Sequence, residues 1–596
     1  MAAKVVSAQA QHTFDEPETP YSLSTAEPLK QAARTLAASQ PPKLRLQYSR
    51  DFCRFVVTEY WGRLEPRPER PVRPAPIPQG DLGREGLSLA AWIAEEAGKA
   101  GVELASYLIG STYAAMLPED YRSRHGVFYT PPAVVNHLLD SATAAGVDWT
   151  SCRALDPACG GGAFLAPLAR RMLSAMPRCD RKVVIRNLAT RLHGFEIDPF
   201  ASWMSLVFLD ATLNETLGFV AGENLSPIET CDSLTCHEDS DFDLVVGNPP
   251  YGRCSLAPEI RELYKRSLFG HANLYSLFLD LAIRKTRPGG VIAYVAPTSF
   301  LSGEYFKNLR KLLTEQAFPI ALDFISERSG VFDGVLQETL LAVFRRQAPP
   351  SRVRVSFVET ASDPLSVAKA VELALPAATD QPWIIPRSRN SAKLAARLRR
   401  TPTRLKDWGY QVSTGPLVWN RFKERLRDYP THETVPLIWA EAVGADGSFC
   451  FRAARRNHAP YFLLRKDEDH LVIQRPCVLL QRTTSKEQPH RLIAAELPLE
   501  FVNKHGAVTV ENHLNMIVPA VEDPPVGTRT LSVFLNSSIA DEAFRCISGS
   551  VAVSAYELEA MPLPSLPEIS ALEEFLKKPR TCPEIDLFCN TLYRIP

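Results

Sequence analysis

Short apolar runs alternate with periodic apolar stretches over residues 126–345 of the chain. The short runs are typical of buried strands, whereas apolar residues three and four positions apart are typical of helices that pack on a sheet. Because helical patterns separate most of the strands, the sequence predicts an α/β fold with a doubly wound, Rossmann-like parallel sheet and ligand sites at the carboxyl ends of its strands. The predicted strands are 152–158, 191–198, 242–248, 289–297, 319–327 and 336–346.

The region before this sheet has a different pattern. Residues 45–64 and 87–116 carry apolar residues at helical spacing, and a proline-rich stretch lies between them at 63–80. Prolines fix the backbone and remove hydrogen-bond donors, so this stretch is predicted to be extended and irregular. We therefore predict a helical, proline-rich extension over residues 1–110 and a central domain over residues 111–384.

The pattern changes again near residue 385, where the predicted strands become short and the loops long. Residues 386–430 hold twelve Lys or Arg side chains and three acidic ones, although the whole chain has 67 residues of each charge. A basic patch on a neutral protein is sufficient to bind a polyanion. Residues 385–596 are therefore predicted to form a separate mixed α/β domain with a basic surface.

The cysteines and the apolar runs limit the environment in which the chain works. The twelve cysteines are scattered, and none forms a C-x-x-C pair. Neither a zinc site nor a disulfide framework is expected, and a reducing compartment is the natural reading. No apolar run has the length of a signal-peptide core or a membrane span. The sequence predicts a cytoplasmic protein that binds neither a metal nor a membrane.

A glycine-rich turn, DPACGGG at residues 156–162, follows the first predicted strand. Glycines permit positive φ angles and let a ligand approach the backbone closely, although a tight strand-to-helix turn alone would also use them. The Lys-Ser/Thr pair of a phosphate-binding P-loop is absent after the glycines. Asp156 would repel a phosphate, so the segment favours a cationic or polyol ligand.

Two acidic residues lie near the ends of later strand-like segments. Glu196, in FEID, ends the second predicted strand, where a carboxylate can bind both hydroxyls of a ribose. Asp232, in CDSL, lies ten residues before Phe242 and can accept from the exocyclic amine of an adenine. Each acid alone would be an ordinary loop residue, but together with the glycine turn they outline an adenosine pocket.

The segment DFDLVVGNPPYGR, residues 241–253, ends a strand on an amide, two prolines and an aromatic ring. A stiff turn is one interpretation, but two prolines also hold acceptors at fixed positions. The Asn248 side-chain oxygen and the Pro249 carbonyl can accept both hydrogens of one amino group. Such a contact draws the nitrogen toward tetrahedral geometry and frees its lone pair, while Tyr251 can stack on the attached ring.

These segments, together with GVFYTPP at residues 126–132, resemble the S-adenosylmethionine-dependent DNA N6-adenine methyltransferases of bacterial restriction–modification systems. GVFYTPP precedes DPACGGGAF, FEID, CDSL and NPPY, and this order is similar to the γ arrangement of that family. NPPY also occurs in methylases of release factors and of some RNAs, so the order of the full set carries the resemblance. The resemblance covers about residues 120–345 and extends more weakly into the C-terminal part.

The resemblance implies S-adenosylmethionine as the cofactor and a role for individual residues. Asp232 is preferred over Glu223 for the cofactor's amine because its spacing to NPPY fits better. The residues expected to hold the cofactor are Thr130, Pro131, Asp156, Ala158, Cys159, Gly160, Gly162, Glu196, Ile197 and Asp232. Those expected to act on the target base are Asn248, Pro249, Pro250, Tyr251 and, unless it is an ordinary core aromatic, Phe332 on the second face.

The resemblance also implies double-stranded DNA as the substrate and residues 385–596 as a target-recognition domain. A base inside a duplex cannot reach such a pocket, so base flipping is implied. We expect a monomer in the bacterial cytoplasm, at the nucleoid, and leave open a separate cognate restriction endonuclease as a partner. The expected DNA contacts, for which a solvated basic face is the alternative, are Arg421, Lys423, Arg482, Lys486 and Arg491.

Other activities fit some of the same segments. A methylase of RNA or protein would share NPPY, but a release-factor methylase would not need a large basic C-terminal domain. A fused enzyme that also cuts DNA would need a nuclease signature, and no convincing PD…(D/E)xK pattern occurs in residues 1–120. A DNA-binding subunit with an inactive pocket is disfavoured because every expected catalytic position is filled.

Overall fold

The chain consists of N-terminal helices, a large central sheet and a C-terminal region with two smaller sheets. The computed structural model describes residues 26–78, 80–236, 241–325, 338–347, 352–359, 366–375, 380–483, 490–550 and 552–594. Within these ranges, no helix is both long enough and apolar enough to cross a membrane.

Helices form the N-terminal region. They are α1 (Ala26–Ala38), α2 (Arg45–Trp61), α3 (Gly83–Gly98), α4 (Val102–Met116) and α5 (Glu119–His125). The helical pattern over 87–116 is divided between α3 and α4, because Gly101 has an extended backbone and begins α4 as its N-cap. The described part of the proline-rich stretch at 63–80 contains no helix or strand.

Strands and helices alternate in the central region. Its elements are α6 (Pro132–Ala144), β1 (Ala154–Asp156), α7 (Leu165–Ala175), α8 (Arg181–Arg191), β2 (Leu192–Glu196), α9 (Pro199–Leu217), β3 (Ile228–Thr230), β4 (Phe242–Gly247), β5 (Arg253–Cys254), α10 (Pro258–Leu263), β6 (Ala272–Asn273), α11 (Leu274–Lys285), β7 (Thr286–Pro297), α12 (Lys307–Gln316), β8 (Ala317–Ile325), β9 (Thr339–Arg346), β10 (Arg352–Glu359) and β11 (Ser366–Ala374). The apolar runs predicted six of these eleven strands but not β3, β10 or β11, nor the two-residue strands β5 and β6.

Nine of the strands form one sheet in the order β11-β10-β8-β9-β7-β4-β1-β2-β3. The pairs between β7 and β3 in this order are parallel. By contrast, β9 runs antiparallel to β7 and β8, and β11 runs antiparallel to β10. The doubly wound α/β fold is confirmed, but the sheet is mixed and not fully parallel. The sequence did not predict this because an apolar run identifies a strand without giving its direction.

Hydrophobic cores cover both faces of this sheet. One core contains apolar residues of α6, α7 and α8, and the other contains those of α11 and α12. Successive residues of β4 alternate between them, since Leu244 and Val246 join the first core and Val245 joins the second. The sheet is therefore buried on both faces, which explains its nearly continuous apolar strands.

Helix α9 connects the N-terminal helices to the sheet. Its residues Phe200, Trp203 and Met204 belong to the core of the N-terminal helices, whereas Leu209 and Leu213 belong to a core of the sheet. A helix that is apolar on most sides is buried on most sides. The N-terminal helices consequently share a hydrophobic core with the central region.

The C-terminal region contains two four-stranded sheets, β12-β19-β16-β17 and β13-β15-β14-β18. Its helices α13 and α15 to α19 contribute to a core on the first of these sheets. The elements are α13 (Ala392–Leu398), β12 (Tyr410–Thr414), β13 (Leu426–Arg427), β14 (Thr434–Ile438), β15 (Tyr461–Leu463), β16 (Cys477–Gln481), β17 (Ala494–Leu497), α14 (Leu499–His505), β18 (Thr509–Val510), β19 (Leu514–Pro519), α15 (Thr528–Leu535), α16 (Ser538–Arg545), α17 (Ala555–Ala560), α18 (Leu566–Phe575) and α19 (Cys582–Thr591).

The Arg310 side chain of α12 holds the central and C-terminal regions together. It is fully buried, although burial lowers its pKa. Its guanidinium donates at 2.7–3.0 Å to the carbonyls of Phe300, Gly303, Asp380 and Gln381 and to the Tyr556 hydroxyl. A second contact joins the two regions nearby, where the Ser302 hydroxyl donates to the Glu557 carboxylate at 2.6 Å.

The substitution Arg310→Met tests the importance of this junction. It keeps an apolar stem but leaves several buried carbonyls without a donor, each of which costs about 1–3 kcal/mol. We expect the free energy of unfolding to fall by about 3–5 kcal/mol in urea denaturation. Lys311→Met, which changes the exposed neighbour, is the control and should change stability little. Equal stability of the two variants would contradict the assignment.

Candidate active site

The carboxyl ends of β1, β2 and β4 lie at one edge of the sheet, and the strand order reverses there between β1 and β4. Open α/β sheets bind ligands at such a point. A cavity of about 230 Å³ opens at this edge. Among the predicted site residues, those that line the cavity are Thr130, Asp156, Ala158, Cys159, Gly160, Glu196, Ile197, Asp232, Asn248 and Pro250. The neighbouring Pro131, Gly162, Pro249 and Tyr251 are not among its lining residues.

The turn after β1 depends on its glycines. Gly160 and Gly162 have φ angles of 52° and 89°, which residues with a side chain rarely adopt. A Cβ at Gly161 would overlap the Tyr129 hydroxyl, whereas a Cβ at Gly160 would meet no protein atom within 4 Å. The turn is therefore tightly packed on one side and open on the side where Gly160 lines the cavity, as a ligand cradle requires.

Two carboxyl groups line the cavity, of which that of Asp156 is buried and that of Glu196 is half-buried. The Glu196 carboxylate, at the end of β2, accepts N–H bonds from Gly160 and Asp198, each at 2.8 Å. Burial nevertheless raises the pKa of Glu196 to about 7 and the pKa of Asp156 to about 8. Removal from water disfavours the ionised forms. A cationic or hydroxyl-bearing ligand in the cavity would therefore stabilise the carboxylates.

The rim of the cavity carries an apolar side chain beside an acidic one. Ile197 is 54% exposed although it is apolar. Asp232 is exposed, and its Oδ1 accepts the Leu234 N–H at 3.0 Å. The Ser233 hydroxyl donates to the Pro157 carbonyl at 2.5 Å, which ties this loop to the glycine turn. An apolar surface beside a carboxylate suits a planar ring that bears an amine.

The segment after β4 holds the Asn248 amide in one orientation. Its Nδ2 donates to the Thr130 hydroxyl at 3.1 Å, and its Oδ1 accepts from the Tyr251 hydroxyl at 2.7 Å. An amide oxygen has two lone pairs, so Oδ1 can accept a second hydrogen bond. A Cβ at Gly126 would overlap Pro250. The GVFYTPP segment therefore packs directly on Pro250 and restricts its position.

The Tyr251 ring is mostly covered by other aromatic rings. It is 8% exposed and packs edge-on against Tyr275, with 6.2 Å between the ring centroids. Phe128 faces it at 6.4 Å, with an angle of 24° between the ring planes. Phe128 also lines the cavity, although the sequence did not single it out. Stacking of Tyr251 on a base stays a prediction, and its hydrogen bond to Asn248 indicates an additional positioning role.

Residues of the N-terminal helices complete the wall of the cavity around Asp198. The Asp198 carboxylate caps α9 by accepting the Phe200 N–H at 3.0 Å. It also accepts from Arg50 of α2 at 2.9 Å, from the Tyr113 hydroxyl at 3.1 Å and from the Tyr121 hydroxyl at 3.4 Å. Both tyrosines line the cavity. This cluster was not predicted from the sequence, because its members lie far apart along the chain and carry no shared motif.

The buried Tyr129 hydroxyl has no hydrogen-bond partner among the described residues. It lies against Gly161 at the glycine turn, and burial raises its pKa well above the usual value. Buried polar groups are normally satisfied, so such a group calls for a ligand atom or water. Together with Glu196, the predicted ribose acceptor, and the apolar surface of Ile197, it gives a set of groups that fits the predicted S-adenosylmethionine.

The predicted DNA contacts are not all alike in the structure. Arg421 and Lys423 are exposed, and the Lys423 ammonium lies 5.5 Å from the centroid of the Trp419 ring. Arg482 is half-buried, and its guanidinium donates to the Asn512 carbonyl at 3.2 Å. All three cations are therefore at least partly exposed on the C-terminal region.

Arg491 differs from these cations because it is only 8% exposed. Burial lowers its pKa, and its backbone N–H donates to the Asp541 carboxylate. We therefore leave Arg491 out of the surface that could contact DNA. A basic residue has the same appearance in sequence whether it faces solvent or the interior. Phe332 and Lys486, also predicted to act on DNA, lie outside the described residues.

The sequence of the chain is similar to those of known methylases. Residues 200–332 match the Eco57I restriction-modification methylase family. The Type II methyltransferase M.BsuBI of Bacillus subtilis is 26% identical over 466 residues, which are 74% of this chain and 88% of that protein. The Type II methyltransferase M.PstI of Providencia stuartii is 25% identical over 332 residues, which are 54% of this chain and 65% of that protein.

A solved structure shares the fold over most of the chain. It is the Type IIL restriction-modification enzyme MmeI in complex with DNA, with a TM-score of 0.54, 13% sequence identity and coverage of 97% of both chains. At this identity the likeness concerns the fold alone. The chain is therefore similar in sequence to Type II methyltransferases, and its match to the Eco57I restriction-modification methylase family includes Asn248 of the candidate active site.

Proposed function

We propose that the chain transfers a methyl group from S-adenosylmethionine to N6 of adenine in double-stranded DNA, as the sequence-specific modification enzyme of a restriction–modification system. One observation carries the proposal: Asn248 opens onto the same cavity as the predicted cofactor residues. A methyl donor and an amine can therefore meet in one place. In-line transfer depends on such alignment more than on acid–base catalysis.

The proposed cofactor site uses several groups that line the cavity. Bound S-adenosylmethionine supplies a methyl group that its sulfonium charge activates. Glu196 accepts the ribose hydroxyls, and Ile197 with Asp232 holds the adenine ring and its amine. Tyr129 and Thr130 line the same cavity, and their hydroxyls can bind the amino-acid part. Burial raises the pKa of the Asp156 carboxyl to about 8, and a cationic ligand beside it would favour its ionised form, which then supplies negative charge.

The proposed amine site consists of two acceptors held still. Asn248 Oδ1 and the Pro249 carbonyl accept the two hydrogens of the target amine. Thr130 engages the Nδ2 end of the amide, so the oxygen end stays toward the amine. The two prolines remove backbone freedom from the segment. The chain thus raises the nucleophilicity of a weakly basic nitrogen by geometry, without a general base.

Duplex DNA has to release the target base before it can enter this cavity. The C-terminal region lies beside the same edge of the sheet, because Gly549 packs against Glu338 and Thr298 at the end of β7. Exposed cations such as Arg421 and Lys423 can contact phosphates, which position a duplex without reading its sequence. The similarly folded MmeI was solved in complex with DNA, which supports duplex DNA as the substrate.

The raised pKa of Glu196 predicts that cofactor binding releases a proton. In the free protein, Glu196 keeps its proton up to about pH 7, whereas a ribose acceptor has to be ionised. Cofactor affinity should therefore fall as the pH decreases from about 8 to about 6. Calorimetric titration at about pH 6.5 in two buffers of different ionisation enthalpy measures the released proton.

The variant Glu196→Gln should weaken cofactor binding about tenfold and reduce the number of protons released. Glu229→Gln, which changes a glutamate on the neighbouring strand β3, is the matched control and should behave like the natural chain. The same proton release from all three proteins would rule out Glu196 as the titrating ligand.

The variant Asn248→Ala tests the amine site. It removes one of the two acceptors, so methyl transfer to duplex DNA should fall at least about a hundredfold while S-adenosylmethionine still binds. Transfer of a labelled methyl group gives the rate, and single-molecule sequencing of DNA from an expressing host identifies the modified base and its context. An active Asn248→Ala enzyme would refute the mechanism, and methylation of RNA but not of duplex DNA would refute the proposed substrate.

The variant Tyr251→Phe separates positioning from stacking. It keeps the ring but removes the hydroxyl that binds Asn248, so we expect kcat to fall about tenfold with little change in KM for DNA. Tyr251→Ala should lose more activity because the ring is also removed. Tyr275→Phe, which deletes a nearby hydroxyl bound to Ser299 at 2.7 Å, is the control. Equal effects of Tyr251→Phe and Tyr275→Phe would argue against a positioning role for Tyr251.

A further inference from the structure

A buried carboxylate fixes an exposed imidazole in the turn between β18 and β19. The turn is Glu511-Asn512-His513; the side chain of Glu511 is 1% exposed and that of His513 is 60% exposed. His513 Nδ1 lies 2.7 Å from Glu511 Oε1 and 2.8 Å from Oε2. The His513 backbone N–H donates to Oε2 at 2.8 Å. The buried Glu511 carboxylate therefore binds the side chain and the backbone N–H of one exposed residue, His513.

This arrangement sets what the imidazole can offer to a partner. Burial of a carboxylate is costly unless hydrogen bonds compensate it. The bond to Glu511 requires a proton on Nδ1, so it fixes both the tautomer and the direction of the ring. The other ring nitrogen, Nε2, is then presented to solvent as an acceptor in the neutral ring or a donor in the charged ring. A surface histidine without such a partner would turn freely.

The turn lies among residues that already point to DNA. The Arg482 N–H donates to the His513 carbonyl at 2.9 Å, and the Arg482 guanidinium donates to the Asn512 carbonyl. The Asn512 N–H donates to the Leu417 carbonyl at 3.0 Å. Leu417 lies four positions before the exposed Arg421. Three separate parts of the chain thus bring polar and basic groups to one end of the β12-β19-β16-β17 sheet.

This end of the sheet is connected to the edge that carries the candidate active site. Thr483 forms a β-bridge with Ala552, and the Val553 N–H donates to the Arg482 carbonyl at 2.8 Å. A few residues earlier, Gly549 packs so closely on Glu338 that a Cβ there would overlap its carboxylate. The Glu338 carbonyl accepts the N–H of Thr298, the residue that follows β7. Gly549 therefore contacts the central sheet, and Val553, four positions later, bonds to Arg482, which in turn bonds to the turn that carries His513.

We propose that His513, oriented by Glu511, binds duplex DNA through Nε2. The proposal rests on the proposed function, since it assumes that the C-terminal region holds the DNA. The contact is a hydrogen bond to a polar atom of the duplex, either a phosphate oxygen or a base edge. Glu511 acts as a positioning residue, because it touches the imidazole and not the DNA.

Four variants test this pair. They are His513→Ala, Glu511→Gln, the double variant, and His432→Ala as a control in an exposed histidine on the loop before β14. The probe is a duplex that contains the site found by sequencing DNA methylated by the natural chain. Fluorescence anisotropy gives its Kd over a range of salt concentrations, and labelled S-adenosylmethionine gives the cofactor Kd in the same preparations.

We expect His513→Ala to raise the Kd for DNA roughly 5- to 100-fold, as for the loss of one specific contact. Glu511→Gln should raise it less, because an amide still accepts from Nδ1, and the double variant should bind no more weakly than His513→Ala. The cofactor Kd should be unchanged, which also shows that the variants fold. A purely structural Glu511 predicts the opposite result, in which Glu511→Gln is harmful and His513→Ala is not.

The outcomes separate this inference from the proposed function. A contact to phosphate should weaken binding to all sequences and lower the salt dependence, whereas a contact to a base edge should relax specificity at one position of the methylated site. His513→Ala that binds and methylates DNA like His432→Ala would overturn the inference alone. A natural chain that binds its cofactor but never methylates duplex DNA would overturn the proposed function and the inference together.

Discussion

The carboxylate of Asp198 joins the parts of the protein that have to act together. It caps α9 and accepts hydrogen bonds from Arg50 and Tyr113, which belong to the N-terminal helices. It also follows Glu196 and Ile197 directly, so the same short segment carries the residues proposed to hold the ribose and the adenine. This polar contact adds to the hydrophobic core that the N-terminal helices share with α9, and it lies at the cavity. The N-terminal region is therefore structurally part of the site and not an appendage to it.

Close packing of backbone segments supplies the second constraint. A Cβ at Gly126 would overlap Pro250, one at Gly161 would overlap the Tyr129 hydroxyl, and one at Gly247 would overlap the Asp156 carboxylate. Glycines at such positions let two segments approach more closely than side chains would permit. The segments proposed to bind the cofactor and the amine consequently share walls. We therefore expect a shift in one of them to displace the other, so that cofactor binding would influence the position of the amine acceptors.

The sequence predicted the doubly wound fold and the residues around the cavity because both leave local patterns. Apolar runs located β4 and β7, and Asn248 was evident because a strand that ends on two prolines is unusual. By contrast, the antiparallel direction of β9 leaves no local pattern, and neither does the contact between Arg50 and Asp198, which lie 148 residues apart. The burial of Tyr251 was also missed, because it depends on rings such as Tyr275 that only the fold brings close. Long-range contacts of this kind are decided by packing and not by spacing.

The basic stretch at 386–430 shows why a count of charges is a weak guide to a DNA surface. Arg425 is buried and donates to Glu468; that hydrogen bond lowers the pKa of Glu468 to about 2. Arg387 is half-buried, and its guanidinium donates to the Arg545 carbonyl at 3.2 Å and to the Ile547 carbonyl at 3.1 Å. Such cations stabilise the domain and are not available to phosphates. The proposed recognition of DNA therefore relies less on a broad positive field than on exposed groups such as Arg421, whose effect depends on how firmly the fold orients them.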